Sequence, residues 1–106
     1  MMSKSQTTTN PEWLHNSHAG ELLVSEFMEP LNLTDEGLAS ALGVAPARLH
    51  SVTSGKTPID ADLDLRLARY FRMSEGFFLG LQIDHDLLAA KRALNGDLDR
   101  IVPLAA

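Results

Sequence analysis

The sequence predicts an all-α fold of five short helices joined by brief turns. Three observations predict it. Apolar residues recur at three- and four-residue spacing along most of the chain, the period of one helix face rather than the alternation of a strand. Proline, glycine and capping residues cut that pattern into short segments. At 106 residues and 44% hydrophobic, the chain can fill one core but not two.

The elements follow in order. Residues 21–28 carry Leu22, Leu23 and Phe27 at helical spacing, and Pro30 is expected to end that helix because it cannot donate the next backbone bond. Thr34 is placed to cap a second helix, with Asp35 and Glu36 in its positive first turn. Leu38, Ala39 and Leu42 form its apolar stripe and Gly43 its stop. A third helix starts at Pro46, a good first-turn residue, buries Leu49 and Val52, and closes at Ser54-Gly55. Asp60 caps a fourth, which runs to Phe71 and buries Leu63, Leu67, Ala68 and Phe71. A fifth is expected from Ser74 to Leu94, ended by Asn95-Gly96; Gly80 inside it costs about 1 kcal/mol against alanine. The apolar tail Ile101-Val102-Pro103-Leu104 reads as a short strand or an arm. The resulting division is an N-terminal arm over residues 1–17, partly disordered, a helical domain over 18–94 and a C-terminal tail over 95–106.

Composition narrows the function. The chain has no cysteine, so disulfides and thiolate metal sites are excluded. It has no signal-peptide apolar region and no apolar run approaching the roughly 20 residues that span a bilayer, so a cytoplasmic location without a membrane partner is expected. Fourteen acidic residues outnumber nine basic ones, for a formal net charge of −5. A nucleic-acid binder of this composition either gathers its positive charge on one face or uses its acidic surface for a second, basic partner.

Residues 33–56 carry the most information: LTDEGLASALGVAPARLHSVTSGK. They read as a helix of about two turns, a tight turn at Gly43-Val44 and a second short helix, the layout of a helix-turn-helix. Ala39 supplies the small residue needed where two steeply crossed helices touch, and Gly43 accepts the left-handed backbone of the turn. Val44 and Leu49 anchor the second helix. Ala45, Pro46, Ala47, Arg48, His50 and Ser51 then surround its exposed leading end, which in this motif enters the DNA major groove. The plain alternative is two packed helices with no ligand.

Beyond the motif, residues 18–82 resemble the HigA-type addiction-module antidotes, within the Cro/cI-repressor-like superfamily. The resemblance is carried by His18-Ala19-Gly20-Glu21, by Phe27-Met28-Glu29-Pro30-Leu31, and by Leu38-Ala39, Leu42-Gly43-Val44, Arg48, Gly55-Lys56 and Ile59. The run Leu65-Arg66-Leu67-Ala68-Arg69-Tyr70-Phe71, then Ser74, Phe77-Phe78-Leu79 and Leu81-Gln82, completes it, and the tail through Ala106 resembles the family's ending. The resemblance implies a five-helix repressor-like bundle and a homodimer on palindromic operator DNA. It also implies repression of the chain's own operon and neutralisation of a cognate toxin, typically a small basic ribonuclease. No cofactor is implied.

By the same resemblance, the leading residues of the recognition helix read base edges. Arg48 is the strongest candidate, since a guanidinium bonds guanine O6 and N7 in bidentate fashion; the alternative is a surface ion pair. Ser51 suits either kind of base edge, Ala45 and Ala47 offer only contact with a thymine methyl, and His50 is either a reader or a solvent-facing residue without a role. Lys56, assisted by Thr57, is expected on a phosphate. Two departures weigh against affinity. Asp35-Glu36 stand where relatives often place a phosphate-gripping glutamine, and Thr57 stands where they often have arginine.

The acidic surplus lies outside the motif, in Glu12, Glu21, Glu26 and Glu29 and in Asp84, Asp86, Asp97 and Asp99. These surfaces either face the basic toxin or are simply solvated. Asp60-x-Asp62-x-Asp64 lacks the glycine and closing glutamate of a calcium loop, and residues two apart on a helix diverge, so the three carboxylates are read as favourable first-turn charges. His15, His18, His50 and His85 show no helical pairing that would hold a metal. No catalytic constellation is present, so an enzyme is not expected. Tyr70, Phe71, Phe77 and Phe78 are read as core; the apolar surplus, with Leu81, Leu87 and Leu88, is expected at the dimer interface. The competing readings are a stand-alone transcriptional repressor and a protein-interaction inhibitor with weak DNA affinity.

Overall fold

A computed structural model describes residues 18–105. The arm expected over residues 1–17, with Glu12 and His15, lies outside the described residues, as does Ala106. The fold is all-α, with no strand among the described residues.

The first helix, α1, begins at Ala19–Leu22, widens into a π-helical turn over Leu23–Met28 and tightens into a 3-10 turn over Glu29–Leu31. Its start is a capping box. The Glu21 N–H donates to Nδ1 of His18 (3.1 Å), and the His18 N–H donates to the Glu21 carboxylate (3.3 Å). Pro30 does not end this helix, contrary to the sequence reading. The proline ring conflicts with a regular α-turn ahead of it, and here the preceding turn is the wider kind, with the Glu29 N–H bonded to the Val24 carbonyl. The helical path therefore passes Pro30 and stops at Asn32, which takes a left-handed conformation (φ 55°).

The next three helices begin and end where their caps place them. α2 spans Asp35–Leu42, with the Gly37 N–H donating to Thr34 Oγ1 (3.0 Å) and Gly43 closing it at φ 74°. α3 spans Pro46–Thr53, and α4 spans Ala61–Phe71 with Asp60 accepting from the Leu63 N–H (2.9 Å).

α5 covers Phe77–Leu94, three residues later than Ser74 suggests. Its cap comes from another helix. The carboxylate of Asp64, on α4, accepts the N–H of Gly76 (2.7 Å) and of Leu79 (2.9 Å). Asp64 is therefore a buried charge (1% exposed) in the first turn of α4 that also serves the start of α5. A 3-10 turn over Asp97–Arg100 follows α5, and Ile101 to Ala105 run on without regular structure, an arm rather than a strand.

One core joins these helices. Leu23, Leu38, Leu49, Leu63, Leu67 and Phe78 are its largest fully buried apolar side chains. Phe27 of α1 packs on Phe71 of α4 (ring centroids 5.1 Å, tilted) and edge-on against Phe78 of α5 (5.1 Å), so the aromatic cluster ties the first helix to the last two. Tyr70, expected in that core, is 43% exposed because it lies on the outer side of α4. Gly20 marks a close helix crossing: a Cβ there would overlap the carbonyl oxygen of Val52 near the end of α3.

Candidate nucleic-acid interface

α2 and α3 cross through the Gly43-Val44 turn, with Leu38, Ala39 and Leu42 of one helix and Leu49 and Val52 of the other buried. Ala39 is fully buried. The Gly43 N–H bonds to the Ser40 carbonyl (3.2 Å) and the Val44 N–H to the Ala39 carbonyl (3.0 Å), closing α2 tightly enough for α3 to turn back across it.

Burying Leu49 and Val52 turns the opposite side of α3 outward. Ala45, Pro46, Ala47 and His50 are exposed, Arg48 and Ser51 are half-buried at the edge of the same surface, and Lys56 and Thr57 are exposed in the loop that follows. Six of the eight residues singled out in the sequence thus lie on α3 or at its cap, and Lys56 and Thr57 lie beyond its far end.

The charged members are not equivalent. The Arg48 Nη2 lies 3.0 Å from Asp60 Oδ1 and 2.9 Å from Asp62 Oδ2. Asp62 Oδ2 also receives Nε of Arg66 (3.0 Å), and Arg66 Nη1 donates to the carbonyl of Leu42 (2.7 Å), the last residue of α2. The hydrogen bond from Arg48, and after it the one from Arg66, hold the Asp62 carboxyl below its ordinary pKa. The hydrogen bond to Asp62 leads the causes that raise the pKa of Arg48. Two of the three carboxylates of Asp60-x-Asp62-x-Asp64 therefore meet on one guanidinium. That is possible because Asp60 caps the helix from outside it, in extended backbone, instead of following helical geometry.

His50 is also tied. Its Nδ1 lies 3.0 Å from Asp35 Oδ2, so one of the two carboxylates at the start of α2 faces α3. Sequence reasoning missed Asp60, Asp62 and Arg66 as parts of this surface. The Asp62–Arg66 spacing was a visible i,i+4 signal, whereas the pairing of Arg48 with Asp60 joins residues 12 apart and has no local signature. Among the described residues no group of three or more His, Cys, Asp or Glu is placed to hold a metal ion. No helix among them is long and apolar enough to cross a membrane.

The fold and this surface define a helix-turn-helix protein of the repressor-like kind. No family model matches the chain. It is 35% identical over 88 residues to virulence-associated protein I of Dichelobacter nodosus, covering 83% of this chain and 81% of that protein. Its structure is similar to the Pseudomonas aeruginosa antitoxin HigA, solved with higBA promoter, at 32% identity and a TM-score of 0.77 over 85% of this chain and 99% of that one. It is also similar to an addiction module antidote protein of the HigA family from Coxiella burnetii, at 28% identity and a TM-score of 0.76 over 85% and 98% of the two chains. The chain belongs to the HigA family of antitoxins. Antitoxins and transcriptional regulators are not enzymes, and neither is this chain.

Proposed function

We propose that this chain is the antitoxin of a type II toxin–antitoxin module: a cytoplasmic homodimer that binds operator DNA, represses its own operon and neutralises a basic ribonuclease toxin. The observation that carries the DNA-binding part is the outward leading end of α3, held against α2 by a buried core, in a family whose P. aeruginosa member was solved with promoter. The DNA-facing residues are Ala45, Pro46, Ala47, Arg48, His50, Ser51, Lys56 and Thr57.

Dimerisation is supported by α5. From residue 89 to residue 105 every position is exposed. Ile83, Leu87, Leu94, Leu98, Ile101 and Leu104 are exposed along α5 and the arm beyond it, and a contiguous apolar surface of this kind marks an interaction site. A second copy covering this apolar surface stabilises it and presents two α3 helices about 34 Å apart, one turn of B-DNA. Of the leucines expected at this interface from the sequence, Leu87 is exposed and Leu81 and Leu88 are half-buried.

For the toxin, the support is charge. Glu21, Glu26 and Glu29 are exposed on α1, and Asp84, Asp97 and Asp99 on and after α5, whereas Asp86 lines one cavity with Lys56 and Thr57. Carboxylates so arranged speed encounter with a basic partner and select for it.

A gel-shift with the chain's own promoter tests the regulatory reading, and light scattering on the free protein tests the dimer. Retarded promoter at low concentration against an unrelated fragment is expected. Binding of neither fragment leaves a protein-interaction inhibitor, for which the net charge of −5 is the supporting observation. Co-purification with the product of the adjacent reading frame separates the antitoxin from a stand-alone repressor.

A further inference from the structure

Arg48 presents a chemical conflict that its position on α3 does not reveal. A guanidinium grips two acceptors through one of two edges, Nε with Nη2 or Nη1 with Nη2, and Nη2 belongs to both. In this protein Nη2 is the atom already held, between Asp60 Oδ1 at 3.0 Å and Asp62 Oδ2 at 2.9 Å. A bidentate contact to guanine O6 and N7 therefore has to displace one of these carboxylates.

The contacts continue away from the DNA-facing side. Asp62 shares its Oδ2 with Arg66 Nε (3.0 Å), and Arg66 Nη1 reaches the Leu42 carbonyl (2.7 Å) at the end of α2. Asp60 is meanwhile fixed by its own capping bond to the Leu63 N–H (2.9 Å). One run of charge-assisted bonds thus links the end of α2, the start of α4 and the first turn of α3. These bonds are stronger than neutral ones and directional. They constrain the one helix whose placement DNA recognition depends on.

We infer that Arg48 is a positioning residue: clamped by Asp60 and Asp62, it sets the angle at which α3 is presented, and base recognition falls to its uncharged neighbours on that face, Ala47 and Ser51. This rests on the DNA-binding reading above and refines its assignment of roles. An ammonium placed between two carboxylates keeps the charge of the clamp but loses the fixed fork of the guanidinium, which weakens a guanine contact without abolishing it. The pattern of loss across operators, uniform for positioning and confined to one base pair for reading, therefore separates the two roles.

The test measures binding of the unaltered chain, Arg48→Lys, Arg48→Ala and Asp62→Asn to the operator and to a set of operators each changed at one base pair. Folding of each variant is checked by circular dichroism. The expected result is that Arg48→Lys binds within roughly threefold of the unaltered chain, while Arg48→Ala loses roughly tenfold on every operator alike. In addition, Asp62→Asn combined with Arg48→Ala should lose less than the two single losses together, because both substitutions break the Arg48–Asp62 contact. The inference is overturned if Arg48→Lys loses as much as Arg48→Ala and the preference for a guanine at one position disappears with it. Should Arg48→Ala fail to fold, the comparison of Arg48→Lys with the unaltered chain across the operator set still decides. No binding by the unaltered chain overturns the DNA-binding function itself, an outcome distinct from a wrong role for Arg48.

Discussion

The carboxylate of Asp64 accepts the backbone N–H of Gly76 at 2.7 Å, so one helix supplies the cap of the next. With the second bond from the Leu79 N–H (2.9 Å), this buried group fixes the start of α5 relative to α4. Asp64→Ala takes the acceptor from two part-buried donors and is expected to cost about 1 to 2 kcal/mol. A urea denaturation midpoint that falls with an unchanged slope checks it. A midpoint unmoved by the substitution would show that the cap contributes nothing.

Gly20 and Gly80 make a contrasting pair. A methyl group at Gly20 overlaps the Val52 carbonyl oxygen, backbone against backbone, while one at Gly80 meets nothing within 4 Å. Gly20→Ala is expected to destabilise by about 3 kcal/mol or more, because the α1–α3 crossing must open to admit it. Gly80→Ala, inside α5, should instead stabilise by about 0.5 to 1 kcal/mol. Thermal melts of the two variants should shift in opposite directions.

Asp62 links stability to acid. Its carboxyl is held below its ordinary pKa by the hydrogen bonds from Arg48 and then Arg66, and it returns to the ordinary value when the chain unfolds. The native state thus binds this proton less readily than the unfolded state. The stability it contributes is present above the ordinary carboxylate pKa and is lost as pH falls through the lowered one. Melting temperatures recorded from neutral pH down to about pH 3 should fall less steeply at the acid end for Asp62→Asn than for the unaltered chain. Equal slopes would mean that the two arginines do not favour the charged form in solution.

Lys56 is exposed in the loop after α3 and is proposed to neutralise one phosphate. Lys56→Ala should weaken binding to operator and to unrelated DNA by a similar factor. It should also reduce the slope of log affinity against log salt by about 1. A change confined to the operator, with the slope intact, would assign Lys56 to base recognition instead.

Much of the local architecture was legible because its determinants lie within four residues of one another. Thr34 and Asp60 cap helices whose bonded N–H groups are three residues away, Pro46 occupies a first turn, and Gly43 takes the left-handed backbone that ends α2. Pro30 was misread for a reason of the same range. Its effect depends on whether the turn before it is regular, and the π-helical widening over Leu23–Met28 has no sequence signal that we can identify. Ser74 was misread because the cap of α5 comes from Asp64, 12 residues from Gly76.

By itself, the sequence determined the helix-turn-helix, the residues on its outward face and the family, since helix periods, caps and a glycine turn act over single turns of chain. Only the tertiary structure decided what the charged residues of that face do. Arg48, read as a base reader or a surface ion pair, is held by the carboxylates of Asp60 and Asp62; Asp35, read as a charge opposing phosphate, faces His50; Asp64, read as a first-turn charge of its own helix, is also a buried cap for the next. The physical reason is that an ion pair between helices depends on where their axes cross, and that crossing is set by packing of Leu38, Ala39, Leu49 and Leu63 in the core, not by the residues that form the pair.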